Sequence, residues 1–479
     1  MVIQPFDKLR TVPSWQEIER SFWGKEGIII SLEVTPPPLP EAVFRKLKAG
    51  QEEKAFWLDS ARFHPQTGRY SFMGLEPIET FNEISQLREF LNGNKVIPPA
   101  GLPPFTAGLI GYFSYDIPDC EWVFVRTVIS WDHQQNRCWI TEPFFPDRQG
   151  RREYEKICER LRSHAEPGSL KPNEIASVPL ASLGVLRNDN LGISDIRFEM
   201  DQRTFEQIAL RAKEYIACGD IYQVNLSQRI SAALEGDPLE LYLRLRDINP
   251  SPFACYLPMN HVTIAGSSPE RLLKVTGNRV ETRPIAGTRP RVTQNPTADR
   301  QFAQELLLNP KERAEHIMLV DLERNDLGRV CEYGSVRVNE MMTVEEYSHV
   351  RHIVSNIEGE LREDCDRFDI VRAAFPGGTI TGTPKIRAME IIEELEPVRR
   401  ALYTGSVGYL SLSGEMDLNI VIRTFVITGG RVFIQVGAGI VADSDPEKEY
   451  QETLHKAEAL LEVVQSVRRT HELLGTGSV

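Results

Sequence analysis

Apolar side chains at Phe205, Ile208, Ala209, Ala212, Tyr215 and Ile216 recur at helical spacing, which predicts an amphipathic helix that Gly219 stops. Directly after it, Ile221-Tyr-Gln-Val-Asn-Leu-Ser-Gln-Arg-Ile alternates with period two, so a strand should follow. Tyr222, Val224 and Leu226 would share one face of that strand, with Gln223, Asn225 and Ser227 forming a polar row on the other. Nearer the amino terminus, Phe56-Trp-Leu-Asp-Ser and Arg69-Tyr-Ser-Phe-Met-Gly read as short strands among turns such as Pro36-Pro-Pro and Pro103-Pro. The period is lost over residues 163–199, where Glu166-Pro-Gly-Ser and Lys171-Pro-Asn break any helix or strand. The pattern divides the chain into a mixed amino-terminal region 1–165, a linker 166–199 and a carboxyl-terminal domain 200–465. Periodicity alone specifies mixed α and β and no more.

The last helical stretch carries the first candidate chemistry. Ser444-Asp-Pro-Glu447 has the form of a capping box with proline in the first turn, so a helix should start there. Glu449 and Glu452 then share a face and can approach one hard cation, and Lys456, four residues further on, can reach an anion beside it. Mg²⁺ suits so sparse a set, because it takes one or two carboxylates and keeps water and substrate for the rest of its shell. Taken alone, acidic residues in a first turn are more often a solvated face, favoured by the helix dipole by about 0.3–1 kcal/mol.

Composition narrows the class. The 479 residues exceed what one core usually serves, and 41% apolar with 26% charged residues describes a globular chain. Seven scattered cysteines without a Cys-x-x-Cys pair predict free thiols rather than a disulfide framework or zinc site. A net charge of −13 argues against nucleic acid or an anionic membrane as partner, though not against a small anion in a local basic pocket. The opening Met1-Val-Ile-Gln-Pro-Phe lacks the pattern of a secretory signal, so a cytoplasmic location is expected.

Four segments stand out: Arg283-Pro-Ile-Ala-Gly-Thr288, Gly266-Ser-Ser-Pro-Glu270-Arg, the run from Glu312-Arg-Ala-Glu315-His to Asp326-Leu-Gly-Arg, and Gly437-Ala-Gly-Ile-Val-Ala-Asp-Ser. Together they resemble the signature of the chorismate-utilising enzymes. The resemblance is dense over about residues 200–460 and weaker before them. It implies an α+β fold of the anthranilate synthase component I type, with two large, mostly antiparallel β-sheets packed face to face between flanking helices. The active site would lie in the carboxyl-terminal cleft, and region 1–165 would be the amino-terminal part of that fold. Glu270 matches the general acid for the departing C4 hydroxyl, and a neutral-pH role requires its pKa to be raised. His352 matches the histidine near the ring, while Gln223, Ala286 and Thr288 fall at the reacting centre. Thr379, Tyr403, Arg423, Gly437, Ala438, Gly439 and Lys456 match substrate-binding positions, with Arg423 offering a bidentate fork to a carboxylate. Glu315, Glu452 and Glu449 match the Mg²⁺ positions. Ser60 and Asn249, Pro250, Ser251, Pro252 and Phe253 match a regulatory pocket that binds tryptophan in some members. The glycine-rich Pro376-Gly-Gly-Thr-Ile-Thr-Gly-Thr-Pro-Lys lacks the Gly-Lys-Ser/Thr of a phosphate loop.

Which reaction follows depends on the nucleophile. Water-using members carry a lysine base at the position of Gln223, and an amide cannot deprotonate water. The resemblance therefore implies ammonia, and with it a glutamine amidotransferase on a separate subunit, since this chain has no Gly-x-Cys-x-Gly-x-Gln elbow. Two branches use ammonia. Tyr222-Gln-Val-Asn-Leu-Ser-Gln, Asn249-Pro-Ser-Pro-Phe-Ala-Cys-Tyr-Leu, Gly111-Tyr-Phe-Ser-Tyr-Asp and Asp417-Leu-Asn-Ile-Val-Ile-Arg-Thr resemble aminodeoxychorismate synthase component I, the large subunit of para-aminobenzoate synthase, which aminates C4 for folate synthesis. Ala286 resembles anthranilate synthase component I, which aminates C2, eliminates pyruvate and leads to tryptophan. The first branch is the expectation, and the second stays open. The aspartate in Trp57-Leu-Asp-Ser60, where the feedback pocket usually has glutamate, argues against tight tryptophan inhibition.

Overall fold

The computed structural model describes residues 15–16, 27–49, 54–116, 119–165, 191–290, 296–346 and 350–475. Its strands form one hydrogen-bonded ladder that forks at the strand Cys120–Asp132. One edge of this strand pairs with Tyr70–Phe81. Its other edge is shared, the first half by Gly108–Phe113 and the second by Arg137–Phe144. From Tyr70–Phe81 the ladder runs through Phe56–Asp59, Phe253–Pro258, Thr263–Ser268, Thr424–Thr428 and Arg431–Ile440 to Gln223–Glu235. From Gly108–Phe113 it runs through Ser406–Ser411, Met416–Asn419, Arg271–Thr276 and Arg279–Arg283 to Val350–Glu360, which also pairs with Ile285–Pro290 and Arg337–Glu346. Among the described residues every pairing is antiparallel except Gly27–Val34 with the short Val96–Ile97.

The two arms of the fork pack against each other through Phe56, Phe72, Phe105, Ile110, Leu257 and Tyr409. On the outside of the first arm, Trp57, Tyr242, Val436 and Val463 pack helices Pro238–Ile248 and Pro446–Gly475 against the strands. On the outside of the second, Leu273, Ile357, Val320 and Phe368 do the same for helices Pro310–Gly328 and Arg367–Ala374. The result is a helix–sheet–sheet–helix α+β sandwich, as expected, with both sheets growing from the one strand Cys120–Asp132. Alternation makes this possible: in Phe56–Asp59, Phe56 enters the inner layer and its neighbour Trp57 the outer one. Burying such a side chain contributes about 1.5–3 kcal/mol, so each strand stabilises two cores at once.

Local details depart from the sequence pattern in three places. Of the expected linker, 166–190 lie outside the described residues, whereas Gly192–Phe198 forms a strand on Gln223–Glu235. This half-exposed edge strand carries polar side chains along much of its length, which hid its period. Tyr222 does not share the face of Val224 and Leu226, since it precedes the strand and is exposed. The last helix is capped one residue later than expected: Asp445 Oδ1 accepts the Glu447 and Lys448 N–H groups, while Ser444 Oγ accepts from Val441 N. The helix Gln202–Cys218 follows the pattern, with Asp201 as its N-cap and Gly219 in the left-handed region at φ +83°. All seven cysteines are free thiols, five of them buried. Among the described residues no helix is long and apolar enough to cross a membrane.

Candidate active site

The polar row of the strand Gln223–Glu235 lies against the neighbouring strand that carries Gly437, Ala438 and Gly439. A Cβ at Gly439 would fall 2.6 Å from Gln223 Nε2, and one at Gly437 would fall 2.5 Å from Asn225 Oδ1 and 2.9 Å from the Tyr403 hydroxyl. These glycines make room first for protein side chains, where a binding role alone would have left space over the backbone. Ala438, between them, faces the opposite side, is fully buried and can offer only its backbone here. Gln223 Nε2 donates to Glu315 Oε1 at 2.9 Å, while Gln223 Oε1 is buried without a hydrogen-bond partner. A buried amide oxygen left this way costs about 1–3 kcal/mol unless a ligand or water offers it an N–H or O–H.

Glu315 is held by helix Pro310–Gly328, whose Asn309 cap accepts from Lys311 N and Glu312 N. Burial raises the Glu315 pKa, the Gln223 amide opposes this, and the carboxylates of Glu312 and Glu452 raise it further against Lys311. Glu449, on the last helix, is likewise raised by burial and by Glu452, while Ser444, Lys311 and Lys456 pull it down. Glu452 pairs with Lys456 at 2.8 Å, and Lys456 Nζ donates to Gly437 O at 2.9 Å. Among the described residues no three acidic, histidine or cysteine groups stand close enough to hold a metal by themselves. The donor chemistry nonetheless fits a hard cation, because Glu315 and Glu449 both carry a cost of burial and of repulsion from Glu452 that a divalent charge would relieve.

Glu270 lies between the strands Thr263–Ser268 and Arg271–Thr276, at their tight junction. It is buried, and its Oε1 accepts the Ile285 N–H at 3.3 Å. Burial pushes its pKa up to about 7 against the Thr379 hydroxyl, the Ile285 N–H and Arg423, with Glu323 adding to the rise. Thr379 Oγ1 sits beside this carboxyl without a well-formed hydrogen bond. The strand Ile285–Pro290 places Ala286 opposite Ile353 and Thr288 opposite His352, and Ala286 is buried. The Thr288 side chain lies outside the described residues. His352 Nδ1 lies 3.1 Å from Gly287 O; a carbonyl only accepts, so the proton sits on Nδ1 and Nε2 is the basic nitrogen. Burial and the nearby Arg423 and Lys456 hold His352 down to about 3, which keeps it neutral. Arg423 itself sits at φ +51°, a backbone region that non-glycine residues seldom use.

The structure thus brings Gln223, Glu270, Ala286, Glu315, His352, Thr379, Tyr403, Arg423, Gly437, Gly439, Glu449, Glu452 and Lys456 into one linked neighbourhood. It adds three groups that sequence reasoning passed over. Asn225 lies on the polar row that had been recognised, and Lys311 belongs to the Glu315 segment. Arg400 had no signal: fully buried, it pairs with Glu396 at 2.7 Å and donates to Ile380 O at 2.8 Å and Asn225 O at 2.5 Å. Ser60, Pro252 and Phe253 lie elsewhere, in the wall of a cavity of about 590 Å³ between the two arms of the sandwich. Asn249, Pro250 and Ser251 are not in that wall; Asn249 is tied to Ser267.

Buried carboxyl groups beside the cationic Arg423 and Lys456, set on a two-sheet sandwich, have the chemistry of an enzyme site. The chain belongs to the chorismate binding enzyme family, whose sequence profile matches residues 47–462. It is 42% identical over 459 residues to aminodeoxychorismate synthase component 1 of Bacillus subtilis (strain 168), covering 87% of this chain and 93% of that protein. It is equally 42% identical, over 468 residues, to anthranilate synthase component 1 of Synechocystis sp., covering 86% and 91%. The crystal structure of anthranilate synthase component I from Streptococcus pneumoniae TIGR4 superposes with a TM-score of 0.70 at 31% identity, over 83% of this chain and 93% of that one. The menaquinone-specific isochorismate synthase of Escherichia coli shares the fold, with a TM-score of 0.71 at 20% identity.

Proposed function

We propose that this chorismate-utilising enzyme aminates its substrate at C4, as an aminodeoxychorismate synthase component I, with ammonia from a separate glutamine amidotransferase subunit in the cytoplasm. The observation that carries the amination is the Gln223 side chain: its unpartnered Oε1 can accept a hydrogen from ammonia but cannot take a proton from water. Arg423, Tyr403 and Lys456 bind the substrate's carboxylates and orient the ring. Neutral His352 accepts from a ring hydroxyl through Nε2. Glu270, protonated near neutrality, gives its proton to the C4 hydroxyl; the C–O bond breaks, water leaves, and the C–N bond to ammonia forms. Glu315 and Glu452, with Glu449, would hold Mg²⁺, which supplies charge to anchor a substrate carboxylate.

The second reading, amination at C2 with loss of pyruvate, is favoured by Ala286, whose methyl group can form no ring adduct. The two part on product. Chorismate, Mg²⁺ and excess ammonium, with and without aminodeoxychorismate lyase, should give 4-aminobenzoate only with lyase. Anthranilate and pyruvate without lyase would establish the second reading instead, and no amine product at all would remove both.

A further inference from the structure

Behind Glu270 lies a second buried carboxyl that the chemistry above leaves unused. Glu323, on the helix Pro310–Gly328, is 3% exposed, and its Oε1 accepts the Gly378 N–H at 3.3 Å. Its Oε2 lies 3.1 Å from Thr282 Oγ1. That hydroxyl has one hydrogen to give, and Leu272 O, at 2.8 Å, is the nearer acceptor. The hydroxyl can turn its hydrogen to an ionised Glu323, or give it to Leu272 O and accept from a protonated Glu323. Both protonation states of Glu323 therefore find partners, and the ionised one places a like charge near Glu270. Gly378 precedes Thr379, the residue beside the Glu270 carboxyl, so the bond to Gly378 N fixes the turn that supplies this neighbour.

We propose that Glu323 is a positioning residue for the general acid: it fixes the turn Gly377–Thr379 and presents a second carboxyl to Glu270, so that Glu270 enters the reaction carrying its proton. The inference rests on the role of Glu270 proposed above. The groups facing the pair come from every element around it. Glu270 meets the Ile285 N–H, Thr379, Arg423 and Glu323. Glu323 meets Thr282, the Gly378 N–H, Asp326 and Lys385, the last two joined at 2.6 Å. Burial raises both carboxyls, and the charge Glu323 can develop lifts Glu270 further.

Glu323→Gln separates charge from shape, since its amide can accept from Gly378 N and donate to Thr282. Activity should fall as pH rises through the Glu270 pKa, and losing the like charge behind it lowers that pKa. The alkaline limb of kcat/KM for chorismate, at constant free ammonia, should therefore move to lower pH by about half a unit or more in Glu323→Gln. Glu323→Ala, which also leaves the Gly378 N–H unpaired, should lose about tenfold or more in kcat on the low-pH plateau. An unmoved alkaline limb in Glu323→Gln, in a protein that melts like the parent, overturns the proposal. Glu270→Gln separates the two levels: if it is inactive, such a result sinks only the role of Glu323, whereas an active Glu270→Gln sinks the assignment of the acid itself.

Discussion

At the scale of single residues, the proposed chemistry turns on what Gln223 and Ala286 cannot do. An amide cannot deprotonate water, and a methyl group can form no covalent ring adduct. Ala286 is buried and directly follows Ile285, whose N–H reaches Glu270, so position 286 lies beside the backbone that holds the acid. Ala286→Lys should therefore let an amine displace the C4 hydroxyl, with C–N formed, C–O broken and water released through Glu270. Intact-protein mass spectrometry after incubation with chorismate should show the mass of chorismate less water; an unmodified protein would mean that position 286 aims elsewhere. Most of these side chains were picked out in the sequence through the family resemblance of their segments, and the fold brings them together. Glu323 was written in the same Glu315 segment yet went unread, because its role depends on Gly378 and Thr282, which only the fold brings to it.

At the scale of elements, the site is two neighbouring strands and two helices that present carboxylates to them. The alternation of Gln223, Asn225 and Ser227 was plain in the sequence, and so was the helix ending at Gly219. The partner of that polar row was not, since nothing local says that residues 431–440 pair with 224–233. Nor did the sequence announce Arg400, whose guanidinium ties the turn after Thr379 to the backbone of Asn225. The close crossing of Gln223 over Gly439 gives a test of the element. Gly439→Ala puts a Cβ 2.6 Å from Gln223 Nε2, so the amide must swing and its bond to Glu315 must lengthen. Amination should fall by about tenfold or more, on the order of the loss from misplacing one catalytic contact, while the melting temperature shifts by only a few degrees. A variant with parental kcat would show that Gln223 need not sit where it does.

At the scale of the whole molecule, the fork at Cys120–Asp132 makes one cavity between the arms and leaves the reacting groups in another place. Of the carboxylates lining that cavity, Asp59, Asp417, Glu340 and Glu281 are each already paired with an arginine. Asp59 accepts from Ser71 Oγ at 3.0 Å, the Tyr242 hydroxyl at 3.1 Å and Arg246 Nε at 2.5 Å, on the helix side of its strand. Asp417 holds Arg271 through both oxygens, Glu340 holds Arg283 and Gln66, and Glu281 holds Arg279. An ammonium that takes Asp59 or Asp417 from its arginine breaks a buried ion pair, and freeing one charge of such a pair costs about 3–5 kcal/mol. That exceeds what one new charge-assisted hydrogen bond returns, about 1.5–3 kcal/mol. Tryptophan at millimolar concentration should accordingly leave the rate of amination within about twofold of its uninhibited value. Calorimetry under the same conditions should register no saturable heat, and inhibition in the micromolar range would show that Asp59 or Asp417 gives up its partner to the ligand.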